Sequence, residues 1–189
     1  MQQGSLRRLA PFALVSVSGL CASCVPMALH YYVPSAQSAA VVSHSSSGDP
    51  PFMASMFGGQ SPKFHFLVSL AQPRLTGIHD PTLTLVINPF VSAQIAVDPT
   101  LIRVEADGQV TQPKSIRYHV GKSVAGPILN VQGPIDVKTD YLIIDLPLAV
   151  SGALDVVTHL PPITVGGKVS QFPDVSFKLE KHTRLIKGL

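Results

Sequence analysis

The chain has 189 residues, of which 46% are hydrophobic and 13% are charged, whereas an average soluble domain carries about 25% charged residues. It contains 17 prolines and no tryptophan. The low charge and high apolar content exclude a disordered acidic or basic tail, and the many prolines exclude a coiled coil. This length is typical of one domain preceded by a leader.

The formal net charge of the chain is +3. Without residues 1–23, which contain Arg7 and Arg8, the net charge is +1, because 12 Lys and Arg remain against 11 Asp and Glu. Nucleic-acid binding needs clustered cations together with aromatic platforms, so we expect no nucleic-acid partner. Basic residues do gather near the C-terminus, where Glu180 interrupts them, and this pattern predicts a solvated strand end: Lys178, Lys181, Arg184 and Lys187.

The N-terminus has the three parts of an export signal. A polar start ends in Arg7 and Arg8, an apolar run covers 9–20, and small residues surround Cys21 and Cys24. This order is typical of a secretory signal peptide. We therefore predict a signal peptide over 1–23 and export by the Sec route.

Cys21 and Cys24 are the two cysteines of the sequence. A structural zinc site needs four ligands, and these two cysteines supply only two, with no second cysteine pair in the sequence. A disulfide between them would close too short a loop to stabilise a domain. Ala22, Ser23 and Cys24 match the end of a bacterial lipobox, so we expect lipidation at Cys24. Val25, where an aspartate would favour inner-membrane retention, favours the outer membrane, with the protein facing the periplasm. An inner-membrane signal anchor and simple secretion are the alternatives.

Residues 24–61 are rich in Ser, Gly and Pro and low in charge. Such composition is typical of a flexible linker, so we predict a lipidated cysteine followed by a tether over 24–61. A solvated linker would not carry large apolar side chains, and four of them are expected to pack on the domain or form a short turn: Phe52, Met53, Met56 and Phe57.

Cys24 is followed by His30-Tyr31-Tyr32-Val33-Pro34. This leader and tether resemble a group of uncharacterised bacterial envelope lipoproteins, which carry a Tyr-Tyr-x-Pro stretch after the lipidated cysteine and then a small β domain. The resemblance covers about a dozen residues. It implies an envelope location and a β domain, and it transfers no activity.

From residue 62 onward, apolar residues recur at every second position. The alternation is clearest in the segments 64–70, 83–87, 102–106, 116–120 and 175–179. A period of two is typical of strands that place one face on a core and the other in water. Residues 140–146 place apolar side chains on both faces of a strand, and this pattern predicts a central strand.

Turn residues separate these segments, and Asp107-Gly108 and Gly166-Gly167 are the strongest hairpin signals. We expect eight or nine strands over 62–189, which indicates an all-β fold, an antiparallel β-sandwich of immunoglobulin-like general architecture. Residues 165–173 are a candidate edge strand, because Lys168 and Pro173 discourage unwanted pairing, and the favoured alternative is an ordinary surface hairpin.

Motifs for nucleotide and metal binding are missing from the sequence. Gly121-Lys122-Ser123 matches the end of a phosphate-binding loop, but Ile116 stands where that loop needs its first glycine, so we expect no nucleotide. No two histidines have the i, i+2 or i, i+4 spacing that puts two ligands on one face. We therefore expect no metal or other cofactor and interpret the seven histidines as ordinary exposed side chains: His30, His44, His65, His79, His119, His159 and His182.

Catalytic motifs are also missing, since the sequence has no G-x-S-x-G nucleophile elbow and its carboxylates follow no paired spacing. We expect no catalytic residue. The sequence is most typical of a non-catalytic cell-envelope lipoprotein, held to the membrane by an N-terminal lipid, whose periplasmic sandwich acts in protein interaction or assembly. The alternatives are a ligand- or carbohydrate-binding sandwich and an envelope hydrolase. An exposed apolar patch would favour a protein partner, and a buried cluster of His and carboxylates an enzyme.

Overall fold

The computed structural model describes residues 24–35, 40–42, 53–58, 62–71, 80–121, 128–150 and 152–187, so the predicted signal peptide over 1–23 lies outside the described residues. Within these ranges the chain forms a 3-10 turn at Pro99–Leu101 and sixteen strands. The strands are β1 (Cys24–Ser35), β2 (Ala40–Val42), β3 (Met53–Gly58), β4 (Phe64–Ala71), β5 (Thr82–Pro89), β6 (Ala93–Val97), β7 (Arg103–Ala106), β8 (Gln109–Thr111), β9 (Arg117–Val120), β10 (Leu129–Asn130), β11 (Ile135–Thr139), β12 (Leu142–Pro147), β13 (Asp155–His159), β14 (Ile163–Val165), β15 (Lys168–Ser170) and β16 (Val175–Lys187).

The described strands form three sheets in which neighbouring strands are antiparallel. The strand orders are β1-β16-β13-β7-β8, β10-β9-β12-β5-β4-β3-β2 and β11-β6-β14-β15. The predicted all-β fold, an antiparallel β-sandwich, is confirmed. The expected eight or nine strands over 62–189 are too few, since β4 to β16 lie in the described part of that range, and strands of two or three residues are too short to show alternation.

Alternation of burial along the strands builds a continuous apolar core. In β12, Leu142, Ile144 and Leu146 are fully buried, and the residues between them are half-buried. This strand pairs with both β9 and β5, so the predicted central strand is confirmed. Phe172 packs against the start of β4, with ring centroids 5.9 Å from Phe64 and 4.7 Å from Phe66.

The predicted tether over residues 24–61 is wrong for the parts that the structure describes. β1 pairs with β16 along its whole length, and β3 pairs with β4. Three of the side chains in this region belong to the core, since Tyr32 is 1% exposed, Ala54 0% and Met56 3%. The Ser, Gly and Pro content suggested a linker, although β1 and β3 have apolar residues at alternate positions. The folded domain therefore begins well before residue 62.

Pro26 and Pro34 are compatible with β1 because it lies at the edge of its sheet. They are eight residues apart and so have the same parity in the ladder with β16. A proline nitrogen cannot donate to a ladder, so both nitrogens face away from β16. The free edge of β1 thus has a proline near each end, which discourages the addition of another strand.

Both predicted hairpins are confirmed by the backbone. The φ angles are +48° at Asp107 and +77° at Gly108, and +56° at Gly166 and +79° at Gly167. Positive φ at both central residues is what a two-residue type I′ turn requires. The second hairpin joins β14 to β15, and β15 ends the order of its sheet, as the predicted edge strand requires.

Candidate functional site

Cys24 is the first residue of β1 and lies opposite Lys187, the last residue of β16. The neighbouring strand β13 pairs with β16 only as far as Lys178, and one further bond joins the Leu179 N–H to the Leu154 carbonyl at 2.9 Å. Residues 24–31 and 180–187 therefore continue past β13 as a two-stranded extension, called the ribbon below. At about 3.4 Å per residue it is roughly 24 Å long.

The described side chains of the ribbon interact with one another. His182 Nε2 lies 3.1 Å from Glu180 Oε2, and the rings of His182 and Tyr31 meet edge to face at 5.8 Å. Lys181 lies opposite His30 and is exposed. Glu180 is therefore in hydrogen-bond contact with His182, while the ribbon carries three Lys and Arg residues against this one carboxylate.

A cluster of His and carboxylates lies on the five-stranded sheet. His159 Nδ1 is 2.8 Å from Asp174 Oδ2, and His159 Nε2 is 3.3 Å from Glu105 Oε1. Arg103 Nη2 is 3.1 Å from the same Glu105 oxygen. Arg103 and Glu105 flank the buried Val104 in β7, so these charged side chains occupy the face away from the core. The cluster ties β7 and β13 to the segment that precedes β16.

The geometry of this cluster differs from that of a metal site, because its two carboxylates lie at opposite nitrogens of one imidazole, and the Glu105 contact at Nε2 lacks hydrogen-bond geometry. Among the described residues, no group of three or more His, Cys, Asp or Glu could hold a metal ion. Spacing within one strand gave no signal for the cluster, since its members come from three separate segments.

Ser55 and His65 form a second contact that the sequence did not predict. The Ser55 hydroxyl is hydrogen-bonded to His65 Nε2, and the Phe57 ring stacks on His65 at 4.7 Å with 6° between the planes. Pairing of β3 with β4 brings these residues together. A serine nucleophile and its base make such a contact, but Ser55 is only 3% exposed and offers no hydroxyl to a substrate.

The interpretation of every histidine as exposed is wrong for His119, which is 8% exposed. Its Nε2 has no hydrogen-bond partner in the part of the chain that the structure describes. His119 in β9 and His65 in β4 do not converge, because β12 and β5 lie between their strands. His44 and His79 lie outside the described residues, as do Lys122 and Ser123 of the phosphate-loop-like string.

A cleft of about 350 Å³ lies between β8 and the segment around residues 149–153, with Asp107, Val110 and Val150 among its lining residues. The Asp107 carboxylate accepts hydrogen bonds from the backbone N–H groups of Leu154 and Asp155, both at 3.0 Å. This acid therefore fastens the β7–β8 turn to the start of β13. The cleft has the size of a small ligand site, but the Asp107 carboxylate is used in these backbone hydrogen bonds and stabilises the fold.

Exposed apolar side chains gather around the start of β4. Phe57 is 70% exposed, Phe90 62% and Val91 72%. Phe57 lies opposite His65, and the Phe90 N–H donates to the Lys63 carbonyl at 3.1 Å, so both rings flank the first residues of β4. Phe57, Phe90 and Val91 are called the apolar patch below.

The apolar patch and the ribbon lie at opposite ends of β16. Phe172 packs against Phe64 beside the patch and precedes the first residue of β16, whereas the ribbon contains the last residues of that strand. The β14–β15 turn is on the patch side too, because a Cβ on Gly166 would lie 2.6 Å from the Pro62 ring. Val169 of the edge strand β15 is 67% exposed.

Among the described residues, no helix is long and apolar enough to cross a membrane. Comparison of the chain with protein families, with curated proteins and with solved structures finds no match. The placement of the side chains therefore carries the functional inference.

Proposed function

We propose that the protein is a non-catalytic lipoprotein of the bacterial cell envelope, anchored in the outer membrane through Cys24 and facing the periplasm, whose β-sandwich binds another envelope protein. The apolar patch carries this proposal. Exposed apolar side chains that lie close together are a common feature of protein-binding surfaces, and aromatic residues are enriched in protein interfaces.

The position of the apolar patch supports the proposal. It lies at the end of β16 away from Cys24, so a lipid anchor at Cys24 leaves it accessible to a partner. The edge strand β15 is nearby, so a partner that covers the patch can also contact the exposed side chains of β15. Val169 on β15 adds a fourth exposed apolar side chain.

The polar side chains with catalytic potential are engaged within the fold. Ser55 is buried against His65, His159 lies between two carboxylates, and Asp107 binds backbone N–H groups. These contacts support a role in binding over a role in hydrolysis.

Two sets of variants test the proposal. Phe57→Ser and Phe90→Ser should each weaken capture of the partner from envelope extracts about tenfold or more, as is common for buried aromatic contacts. Leu154→Ser is the matched control, because Leu154 is 65% exposed and lies on the ribbon side. Equal capture by all three variants would refute binding through the patch. Cys24→Ser should release the protein into the soluble periplasmic fraction after a high-salt wash, which removes electrostatic contacts, and retention in the membrane after that wash would refute lipidation.

Carbohydrate binding is the second candidate, and the stacked Phe57–His65 pair favours it. An exposed ring face is a surface on which a sugar can stack. Phe57→Leu separates the two candidates, because leucine keeps the apolar area and loses the ring. Protein capture should survive this change, whereas sedimentation with cell-wall polysaccharide should be lost if the ring binds sugar.

A further inference from the structure

The ribbon concentrates positive charge beside the expected lipid attachment site. It contains the cations Lys181, Arg184 and Lys187 and one carboxylate, Glu180, whereas the remainder of 24–189 has nine Lys and Arg against ten Asp and Glu. Glu180 Oε2 lies 3.1 Å from His182 Nε2, and the three cations outnumber this carboxylate. The sequence predicted only a solvated strand end here. The pairing of β1 with β16 places that basic segment directly against Cys24.

We propose that the ribbon binds the anionic headgroup surface of the membrane that holds the Cys24 lipid. The inference rests on the proposed lipidation of Cys24. Basic segments next to a lipid anchor are attracted to anionic phospholipids, and lipid with a polybasic patch is a common pair of membrane signals. In this protein, the pairing of β1 with β16 places the expected lipid attachment site and the basic residues on the same ribbon.

The register also sets the distance of each cation from the anchor. Lys187 lies opposite Cys24, Arg184 opposite Met27 and Lys181 opposite His30. At about 3.4 Å per residue, Arg184 is roughly 10 Å and Lys181 roughly 20 Å along the ribbon from Cys24. The screening length at physiological salt is about 8 Å. Lys187 is therefore within one screening length of the headgroups even when the ribbon stands upright, whereas Arg184 lies slightly beyond it.

A tryptophan on the ribbon reports its contact with lipid. The chain has no tryptophan, and Thr183 is an exposed position of the ribbon, so Thr183→Trp provides a single probe. The full chain is reconstituted in vesicles of phosphatidylethanolamine and brominated phosphatidylglycerol. We expect the bromine to quench the probe at low salt, and we expect high salt to remove the quenching.

Two triple variants, one on the ribbon and one elsewhere in the domain, each remove three positive charges. The triple change Lys181→Gln, Arg184→Gln and Lys187→Gln should abolish quenching, while Lys63→Gln, Lys138→Gln and Lys168→Gln should leave it intact. The conservative triple Lys181→Arg, Arg184→Lys and Lys187→Arg should restore it. Circular dichroism of each variant separates a loss of folding from a loss of binding. Among single changes, Lys187→Gln should weaken quenching more than Lys181→Gln.

The outcomes distinguish the two proposals. A protein that stays with the vesicles but shows no salt-sensitive quenching has a lipid anchor and no headgroup contact, which overturns this inference alone. Equal quenching by brominated phosphatidylcholine also overturns it, because the contact would then be independent of anionic lipid. A protein that leaves the vesicles refutes the anchor. In the Cys24→Ser background, co-sedimentation then tests the ribbon directly, and the triple Gln change should weaken it on the order of tenfold, mainly through Lys187 and Arg184.

Discussion

Replacing Tyr32 with alanine is expected to destabilise the sandwich by about 4 kcal/mol. Tyr32 is 1% exposed, and its hydroxyl donates to the Ala153 carbonyl at 2.9 Å across 121 residues of sequence. Loss of a buried aromatic side chain costs about 3–5 kcal/mol, of which the hydrogen bond accounts for about 1 kcal/mol. At about 3 °C per kcal/mol for a domain of this size, the melting temperature should fall by roughly 12 °C. Tyr32→Phe, which removes only the hydroxyl, should lower it by about 3 °C.

Tyr31 is the matched control, because it is the neighbouring tyrosine on the same strand and is only half-buried. Thermal unfolding of the full chain, followed by circular dichroism, should show a smaller loss for Tyr31→Ala, about 1 kcal/mol. If Tyr32→Ala and Tyr31→Ala melt within a degree or so of the unchanged protein, β1 is not part of the folded domain and the flexible tether is correct after all.

Three further predictions concern the direction in which substitutions at glycines and at Thr158 change the stability of the fold. Gly58→Ala should destabilise the fold by more than about 1 kcal/mol, because a Cβ there would lie 2.1 Å from the Phe64 ring, whereas Gly133→Ala, with no atom within 4 Å, should be neutral in the same melting assay. Thr158→Val should raise the melting temperature by a few degrees, because the fully buried Thr158 hydroxyl has no hydrogen-bond partner among the described residues and removing it relieves about 1 kcal/mol. Gly167→Asn should be tolerated and Gly167→Val should destabilise, because φ at Gly167 is +79°.

Local patterns were enough to predict several of the strands that follow residue 62. A period of two is read directly from segments such as 64–70, and a Gly-Gly or Asp-Gly pair between two such segments specifies a tight turn. These features depend on residues that are close in sequence. They identified β4, β7 and β16 and both hairpins, although β16 continues eight residues beyond the predicted segment.

Composition misled the prediction for residues 24–61, since serine and proline were counted over the whole stretch. The parity of Pro26 and Pro34 was the overlooked signal, because prolines eight residues apart can share the unpaired side of an edge strand. The pairing of β1 with β16 joins residues about 150 apart in sequence, and no local pattern specifies such a partner.

The candidate sites depend on pairing in the same way. Ser55 meets His65 because β3 pairs with β4, and His159 meets Glu105 because β13 pairs with β7. A search for motifs within one strand finds neither contact. The exposure of Phe57 and Phe90 was equally hidden, since an apolar residue in an alternating strand is expected to face the core.

The replacement of a flexible tether by a paired ribbon changes what a lipid at Cys24 would do. A flexible linker of Gly and Ser lets a domain take any orientation at the membrane. The ribbon consists of the same two strands, β1 and β16, that contribute Tyr32 and Phe177 to the core. Its orientation is therefore coupled to that of the sandwich through continuous backbone. If the ribbon makes the proposed headgroup contact, the anchored end of β16 would face the membrane and the apolar patch would face away from it, toward the proposed partner.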